Sequence, residues 1–527
     1  MAAVATAAGG DRLAHPGKWV VAASVLSGSM MASIDTSVVT VSLAHIQSAY
    51  GVTTHEVAWI TTSYLITLVI TMPLTAWVSS ILGRKRMFLA AISIFTGASL
   101  MCGLSRTLGA LITFRVLQGL GGGALQPTAQ AIMRETFPVE EQGQAMAFYG
   151  MIVLLGPAVG PTLGGWITET LSWPWIFFVN IPVGIAGLLL GTQFIVDPPY
   201  MRGRGLRKLD GVGIGLMAIG LAAMQIVLEQ GEQNGWFQSG FIVALSAVAV
   251  VALTAFILWE LRVPEPAVNL RILRNVSFAA GTFIGGIVSL TRFGSLILLP
   301  LFLQNVLGYS PTRSGLTVMP RALTMVLAMP ILGALYNSVG VYVMLTIGIV
   351  LSAVSCFEMA FFNLGSGSAQ LLLPQFIQGL GSAFVFVSLT TTSLSTIPRA
   401  QMQSATGMNS LLRQLGSSFG TAIAITLVDH RTTTASVNLV RYASISNPIF
   451  MRWWTAYQTA FLHRGSDPTT AHWRALMALE RLIAQQASVV GYGYAFGVLG
   501  WISLLCLPLV LFLRRGNAPD RNPASGG

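Results

Sequence analysis

Long runs of apolar residues constrain the fold of this chain more than any other feature of its sequence. Many of them reach the roughly 18–20 residues that an α-helix needs to cross the hydrocarbon core of a bilayer. Only 9% of the residues are charged, whereas a soluble domain carries about 25%. The sequence therefore predicts an all-α polytopic membrane protein.

Glycine, proline and charged residues divide the apolar runs into fourteen predicted transmembrane helices. They lie at 18–43, 57–81, 87–105, 109–134, 144–168, 174–195, 210–230, 240–260, 277–303, 313–338, 341–362, 369–395, 404–428 and 490–514. If the chain begins in the cytoplasm, seventeen arginines and lysines fall at inside segments, against Arg106 and Arg313 in short outside loops. Positive charge concentrates in cytoplasmic loops, so both termini are predicted to be cytoplasmic.

The net charge of +11 has the same explanation, because the basic residues flank membrane segments and form no patch interleaved with aromatic residues. The three cysteines lie inside apolar runs and indicate no redox compartment. The first apolar run has no cleavage site and is expected to stay as a membrane span. The sequence predicts no nucleic-acid partner, no metal site and no cofactor.

The two ends of the chain resemble each other. FRVLQGLGGG (114–123) matches PQFIQGLGSA (374–383) at an offset of 260 positions. MPLTAWVSSILGRKR (72–86) parallels MPILGALYNSVGVYV (329–343) at an offset of 257. Parallel repeats of this kind are typical of secondary transporters built from two helical bundles around a midplane site.

The repeat predicts a domain organisation. Two six-helix bundles occupy 1–195 and 277–527, and a linker at 196–276 adds two further transmembrane helices. The second bundle is expected to include a long external loop at 429–489. Its aromatic residues and the run HWRALMALERLIAQQA leave two alternatives, an interfacial amphipathic helix or a docking surface for another protein.

An acidic side chain, Asp35, lies in the middle of the first span. A charge at the bilayer centre costs roughly 2.5–3.5 kcal/mol, and such residues pair with one another or serve a function. Asp35 is therefore expected to form an ion pair with Arg115 of the fourth span, to carry protons, or to do both in turn. Glu358, placed deep in the eleventh span, is the second candidate for protonation.

Other polar side chains within spans are candidates for lining a cavity. They are Tyr64, Gln118, Gln126, Arg292, Gln304, Asn409 and Arg413. The uncharged ones can equally serve as hydrogen bonds between helices, and Arg292, like Arg321, can extend to the membrane surface. Four arginines within spans against two acids favour neutral or anionic cargo.

The fifth span carries GPAVGPTLGG (156–165), in which Gly156, Gly160 and Gly164 are four positions apart. This spacing predicts a smooth face on which another helix can pack closely. Pro157 and Pro161 weaken the backbone hydrogen bonding and allow the helix to bend.

Together with GRKR (83–86), RVLQG (115–119) and WPWIFFVNIP (173–182), these features resemble the major facilitator superfamily, and most closely its fourteen-helix drug:proton antiporters of the EmrB/QacA type. The carboxy-terminal sequence LERLIAQQASVVGYGYAF (479–496) is more similar to the EmrB side. The resemblance implies the major facilitator fold and covers nearly the whole chain.

The resemblance also implies roles for residues. Asp35 and Arg115 would take part in proton transfer. The residues Gly156, Pro157, Gly160, Pro161, Gly164 and Gly165 would form the antiporter motif. The residues Gly83, Arg84, Lys85 and Arg86 would form a cytoplasmic gate. Ser80 replaces a usual aspartate, so a charge relay within the gate motif is not expected.

The predicted function is proton-coupled export of lipophilic, neutral or anionic small molecules from the inner (plasma) membrane. No P-loop motif for ATP is present, and no H-E-x-x-H or G-x-S-x-G motif indicates an enzyme. Expected partners are the substrate, protons, the lipid bilayer and, by resemblance, a periplasmic adaptor with an outer-membrane channel. The alternatives are a specific exporter of a metabolite or fatty acid, and a non-transporting membrane sensor on this scaffold.

Overall fold

Helices form nearly all of the structure, a computed structural model that describes residues 17–197 and 210–513. No strand occurs within those residues, which confirms the all-α prediction. Eight of the basic residues counted for topology lie outside the described residues. They are Arg12, Arg202, Arg204, Arg207, Lys208, Arg514, Arg515 and Arg521.

Seventeen α-helices occur in the described part of the chain. They are α1 Lys18–Tyr50, α2 Thr54–Leu82, α3 Arg84–Gly103, α4 Leu108–Thr136, α5 Gln142–Thr170, α6 Trp175–Phe178, α7 Asn180–Phe194, α8 Gly211–Gln230, α9 Gly240–Arg262, α10 Val276–Leu301, α11 Pro311–Val339, α12 Val341–Ala360, α13 Ser368–Thr392, α14 Met402–Arg441, α15 Pro448–His463, α16 Pro468–Leu504 and α17 Leu507–Val510.

Among the described residues, twelve spans are long and apolar enough to cross a membrane, and the bent α5 makes thirteen. Helix α1 is also long enough, at 33 residues, but its serines and Asp35 make it less apolar. The count of fourteen transmembrane helices therefore stays a prediction.

Sharp turns at two glycines mark the internal repeat in the backbone. Gly83 joins α2 to α3 with a φ of +81°, and Gly340 joins α11 to α12 with a φ of +83°. A residue with a Cβ atom is strained in this conformation. We call the end of the molecule that carries these two turns the GRKR end.

The helices on either side of the extra pair pack mainly among themselves. In the amino-terminal half α1 packs on α5 and α4 packs on α2 and α3. In the carboxy-terminal half α10 packs on α14 and α13 packs on α11 and α12. Helices α8 and α9 pack on each other, and α8 also contacts α2 and α14. The division at 1–195, 196–276 and 277–527 stays a prediction.

Contacts between the two halves concentrate near the GRKR end. Arg134 Nη1 donates to the carbonyl of Thr391 at 3.1 Å, and Gln403 Nε2 donates to Thr128 Oγ1 at 3.1 Å. Apolar clusters at the opposite end each contain residues of one half only among those described. The halves are thus joined at the GRKR end, which the predicted topology places in the cytoplasm. With that predicted topology, the arrangement would be outward-facing.

Residues 429–489, expected to form a long external loop, are mostly helical, and their external position stays a prediction. Helix α14 continues to Arg441, α15 follows, and α16 begins at Pro468. The run HWRALMALERLIAQQA is helical, but it continues directly into the last membrane span, so it is not a separate interfacial helix. The polar residues of 429–489 mark the end of the apolar run, but the helix continues through them.

Candidate functional site

A carboxylate at the centre of the amino-terminal half is held by side chains from two other helices, α4 and α7. Asp35 is 1% exposed, and its Oδ2 accepts a hydrogen bond from Arg115 Nη1 at 2.6 Å. Its Oδ1 accepts from Gln118 Nε2 at 2.8 Å and from Asn180 Nδ2 at 3.0 Å. Ser99 Oγ bonds to Asn180 at 3.0 Å and donates to the carbonyl of Phe177 at 2.9 Å. The expected pairing of Asp35 with Arg115 is thus present in the structure.

Arg115 is fully buried and uses its guanidinium to join three helices. Its Nη1 also donates to Gln118 Oε1 at 2.8 Å, and its Nε donates to the carbonyl of Ile60 at 3.2 Å. The guanidinium carbon lies 4.1 Å from the centre of the Tyr64 ring. An ion pair that is both buried and hydrogen-bonded holds its charges at low cost only while both partners stay charged.

Asn180 is a site residue that sequence reasoning missed. It lies within WPWIFFVNIP, where it is the first residue of α7 after the short helix α6. The only signal in the sequence is a single amide within an apolar run.

The glycine face of α5 packs on the part of α1 that carries Asp35. A Cβ atom added to Gly156 would lie 2.5 Å from the carbonyl carbon of Ser33, and one on Gly160 would overlap Ser37 Oγ. A Cβ atom on Gly164 would come within 3.0 Å of the carbonyl oxygen of Val38. The predicted smooth face is confirmed as a helix contact.

The GPAVGPTLGG segment also contains a bend and one glycine without a close neighbour. The helix bends by 45° between its parts ending at Pro157 and starting at Thr162. This is the region that holds Pro161. Gly165 differs from the other glycines because no atom lies within 4 Å of a Cβ atom at that position.

The GRKR turn is tied to neighbouring segments by three different contacts. Arg84 is 2% exposed and forms an ion pair with Glu135 at the end of α4. Lys85 Nζ donates to the carbonyl of Thr192 at 2.6 Å, and its backbone amide donates to Asp197 Oδ1 at 2.8 Å. Arg86 is exposed. The acidic partner of Arg84 therefore comes from another helix and not from the motif itself.

The other cavity candidates lie at separate places. Gln126 Nε2 is 3.5 Å from Ser33 Oγ, close to the α1–α5 contact. Asn409 is 2% exposed. The Arg413 guanidinium carbon lies 5.3 Å from the centre of the Phe386 ring. Arg292 is half-buried and lies within electrostatic range of Arg413.

Two candidates lie near the opposite end from the GRKR turn. Gln304 is exposed in a π-helical turn after α10. Glu358 is exposed in the last turn of α12. The placement of Glu358 deep in a span is wrong, because α12 ends at Ala360 and not beyond it.

Residues 25–421 match the family model of the Major Facilitator Superfamily. The chain belongs to this superfamily. It is 30% identical over 487 residues to the multidrug export protein EmrB of Haemophilus influenzae, covering 90% of this chain and 92% of that protein. It is 33% identical over 425 residues to EmrB of Escherichia coli K12, covering 80% and 82%. It is 30% identical over 480 residues to the fatty acid resistance protein FarB of Neisseria gonorrhoeae, covering 91% and 93%.

Solved major facilitator structures share the fold. The human organic anion transporter MFSD10 aligns with a TM-score of 0.60 at 15% identity, covering 94% of this chain and 100% of that one. The proton:xylose symporter XylE aligns with a TM-score of 0.59 at 13% identity, covering 93% and 94%. The predicted major facilitator fold is confirmed, and the chain is a multi-pass membrane protein of the drug-efflux branch.

A second acid of this major facilitator protein was also missed by sequence reasoning. Glu229 lies in the last turn of α8, and its Oε1 accepts a hydrogen bond from Gln225 Nε2 at 3.0 Å. Gln225 in turn donates to Ser418 of α14 at 2.8 Å. Glu229 lies near the end of the predicted span 210–230, and the packing of α8 on α14 places it between helices.

Proposed function

We propose that this transporter is a drug:proton antiporter that exports lipophilic, neutral or anionic small molecules by alternating access. The observation that carries the proposal is the buried carboxylate of Asp35, held by Arg115, Gln118 and Asn180. Intramembrane acids of this kind are functional by default. Both termini of the chain would lie in the cytoplasm.

Protonation of Asp35 would neutralise the carboxylate and remove its attraction to Arg115. The guanidinium would then be a buried charge without an anion, a state that costs about 3–5 kcal/mol. That cost favours a rearrangement of α1 against its neighbours. Since α5 packs on α1 through Gly156 and Gly160, the same contact would transmit the movement.

The GRKR contacts would hold the cytoplasmic side closed in the outward-facing state. Arg84 pairs with Glu135, and its Nη2 lies 3.5 Å from the carbonyl of Arg399 in the other half. Opening toward the cytoplasm requires these contacts to separate. A ligand or proton moves such an equilibrium only by binding the two states unequally.

A preference for neutral or anionic cargo follows from the charges within the membrane. Arg292, Arg321 and Arg413 form no ion pair with a carboxylate in the described part of the chain. A lipophilic dication would meet an unfavourable field there. The similarity to FarB, named for fatty acid resistance, supports a specific fatty acid exporter as the second candidate function.

A periplasmic adaptor with an outer-membrane channel is the proposed protein partner. Helix α14 has 40 residues and α16 has 37. At 1.5 Å per residue they are about 60 and 55 Å long, against about 30 Å for the hydrocarbon core. Together with α15 they would extend well beyond the membrane on the side opposite the GRKR end.

Proton release from everted vesicles with an acidic interior tests the antiport. Lipophilic anions, neutral compounds and cations are added in turn to vesicles with wild type, Asp35→Asn or Glu358→Gln. We expect release in the wild type and in Glu358→Gln, because Glu358 is exposed. The Asp35→Asn variant should show none. Release that survives in Asp35→Asn would move the proton site elsewhere, and no release with any compound would contradict antiport of these cargoes.

A further inference from the structure

The carboxy-terminal half contains a polar cluster that corresponds to the Asp35 site by the internal repeat. Ser295 stands 260 positions after Asp35, and Gln378 stands 260 positions after Gln118. In the amino-terminal half Gln118 Nε2 donates to Asp35 at 2.8 Å. In the carboxy-terminal half Gln378 Nε2 donates to Ser295 Oγ at 3.1 Å. The same geometry is kept, but the carboxylate is replaced by a hydroxyl.

The arginine of each cluster lies on a different helix of its repeat. Arg115 of α4 corresponds to the neutral Gln375 of α13, whereas Tyr64 of α2 corresponds to Arg321 of α11. Packing confirms the second correspondence independently of the numbering. A Cβ atom on Gly119 would lie 2.7 Å from the carbonyl oxygen of Tyr64, and one on Gly379 would overlap that of Arg321.

Arg321 is a buried cation that has no anionic partner in the described part of the chain. It is 6% exposed, and its Nη2 donates to the carbonyl of Arg292 at 3.0 Å and to Ser295 Oγ at 3.3 Å. Its Nη1 is buried and has no hydrogen-bond partner in residues 17–197 and 210–513. No carboxylate of the described residues forms an ion pair with it. Arg292 adds a second positive charge within electrostatic range.

Buried charges in proteins are paired, because an isolated one is expensive to remove from water. The Arg115 charge meets this condition through Asp35, and the Arg321 charge does not. We propose that Arg321 binds the anionic group of the cargo, a carboxylate or an equivalent monovalent oxyanion. The planar guanidinium matches a carboxylate with two parallel hydrogen bonds, and Nη1 is free to supply one of them. The proposal rests on the proposed export function and names the substrate class of that function.

Equilibrium binding to the purified full-length protein in lipid nanodiscs tests the assignment. The probe is a dansyl-labelled undecanoic acid, and its methyl ester is the matched neutral compound, both titrated in chloride-free gluconate buffer. The variants are Arg321→Gln and, as control, Arg313→Gln, an exposed arginine on the same helix. Charge-assisted hydrogen bonds predict that Arg321→Gln raises the Kd of the acid roughly 10- to 100-fold. The Kd of the ester should stay unchanged, and Arg313→Gln should bind like wild type.

Three results would overturn the proposal. One is a folded Arg321→Gln protein, shown by its unchanged ester binding, that keeps the preference for the acid. Another is a wild-type protein that binds acid and ester equally, which decides against the site even where the variant fails to fold. Chloride that stabilises wild type but not Arg321→Gln against heat, without any acid preference, would assign the site to an inorganic anion and exclude the cargo carboxylate.

The assay separates this inference from antiport. Binding in nanodiscs requires no proton gradient, so a failure of proton release in vesicles leaves the acid preference measurable.

Discussion

Placing a single methyl group on the α5 glycine face should disturb the Asp35 site from a distance. In Gly156→Ala the new Cβ atom would lie 2.5 Å from the carbonyl carbon and 2.7 Å from the carbonyl oxygen of Ser33. These are backbone atoms of α1, so no side-chain rotation can relieve the overlap. Ordinary contact begins near 3.4 Å, and the two helices must therefore separate by about 1 Å.

Asp35 follows Ser33 by two residues and moves with it. Its hydrogen bonds to Arg115 and Asn180 are 2.6 and 3.0 Å long. A displacement of about 1 Å takes them beyond the useful range of a hydrogen bond. Overpacking of this kind costs typically 1–3 kcal/mol. We expect that loss in the free energy of unfolding, together with a loss of substrate-triggered proton release.

The matched control is Gly165→Ala, in the same motif of α5. No atom lies within 4 Å of a Cβ atom there, and alanine favours the helix by up to about 1 kcal/mol. Denaturant unfolding in detergent micelles and proton release in vesicles are measured for both variants. Equal stability and equal transport in Gly156→Ala and Gly165→Ala would refute the role assigned to the α1–α5 contact.

Two other variants test the remaining polar contacts. Glu135→Gln removes the carboxylate that pairs with Arg84 and, since breaking a buried pair costs about 3–5 kcal/mol, should shift the protein toward the inward-facing state. Longer spin-label distances across the GRKR end would show the shift, and the exposed Arg86→Gln should leave them unchanged. Glu229→Gln should keep drug binding but reduce the protons released per substrate, because the Glu229 carboxylate can bind a proton without breaking an ion pair. Unchanged proton counts, measured beside Glu358→Gln, would contradict this expectation.

The sequence was most informative where chemistry and helix period agreed. An acid and an arginine in two apolar spans have few stable arrangements except a pair, and Asp35 and Arg115 form one. The fourfold spacing of Gly156, Gly160 and Gly164 likewise predicted a helix contact that the structure contains. In both cases an unpaired charge or an unpacked helix face would cost so much free energy that few other arrangements are stable.

The misses arose where composition and helix boundaries disagree. Hydropathy measures burial in lipid, so it ended the spans near 428 and 490, although the helices continue through polar residues. Glu358 was placed too deep for a similar reason, since its helix ends two residues later. Asn180 could not be assigned because a single amide says nothing of the direction in which its helix presents it.

One repeat holds the carboxylate of Asp35, and the other holds Arg321 without a carboxylate beside it. This difference has an energetic consequence. With a proton taken up in one half and a monovalent anion carried by the other, each one-for-one cycle moves two positive charge equivalents into the cell. The membrane potential contributes about 2.3 kcal/mol per charge per 100 mV, or about 4.6 kcal/mol per cycle. At about 1.4 kcal/mol for each factor of ten, 100 mV alone would sustain more than a thousandfold gradient of the exported anion. Such a transporter would export its substrate against a concentration gradient even in neutral surroundings, where the proton gradient is small.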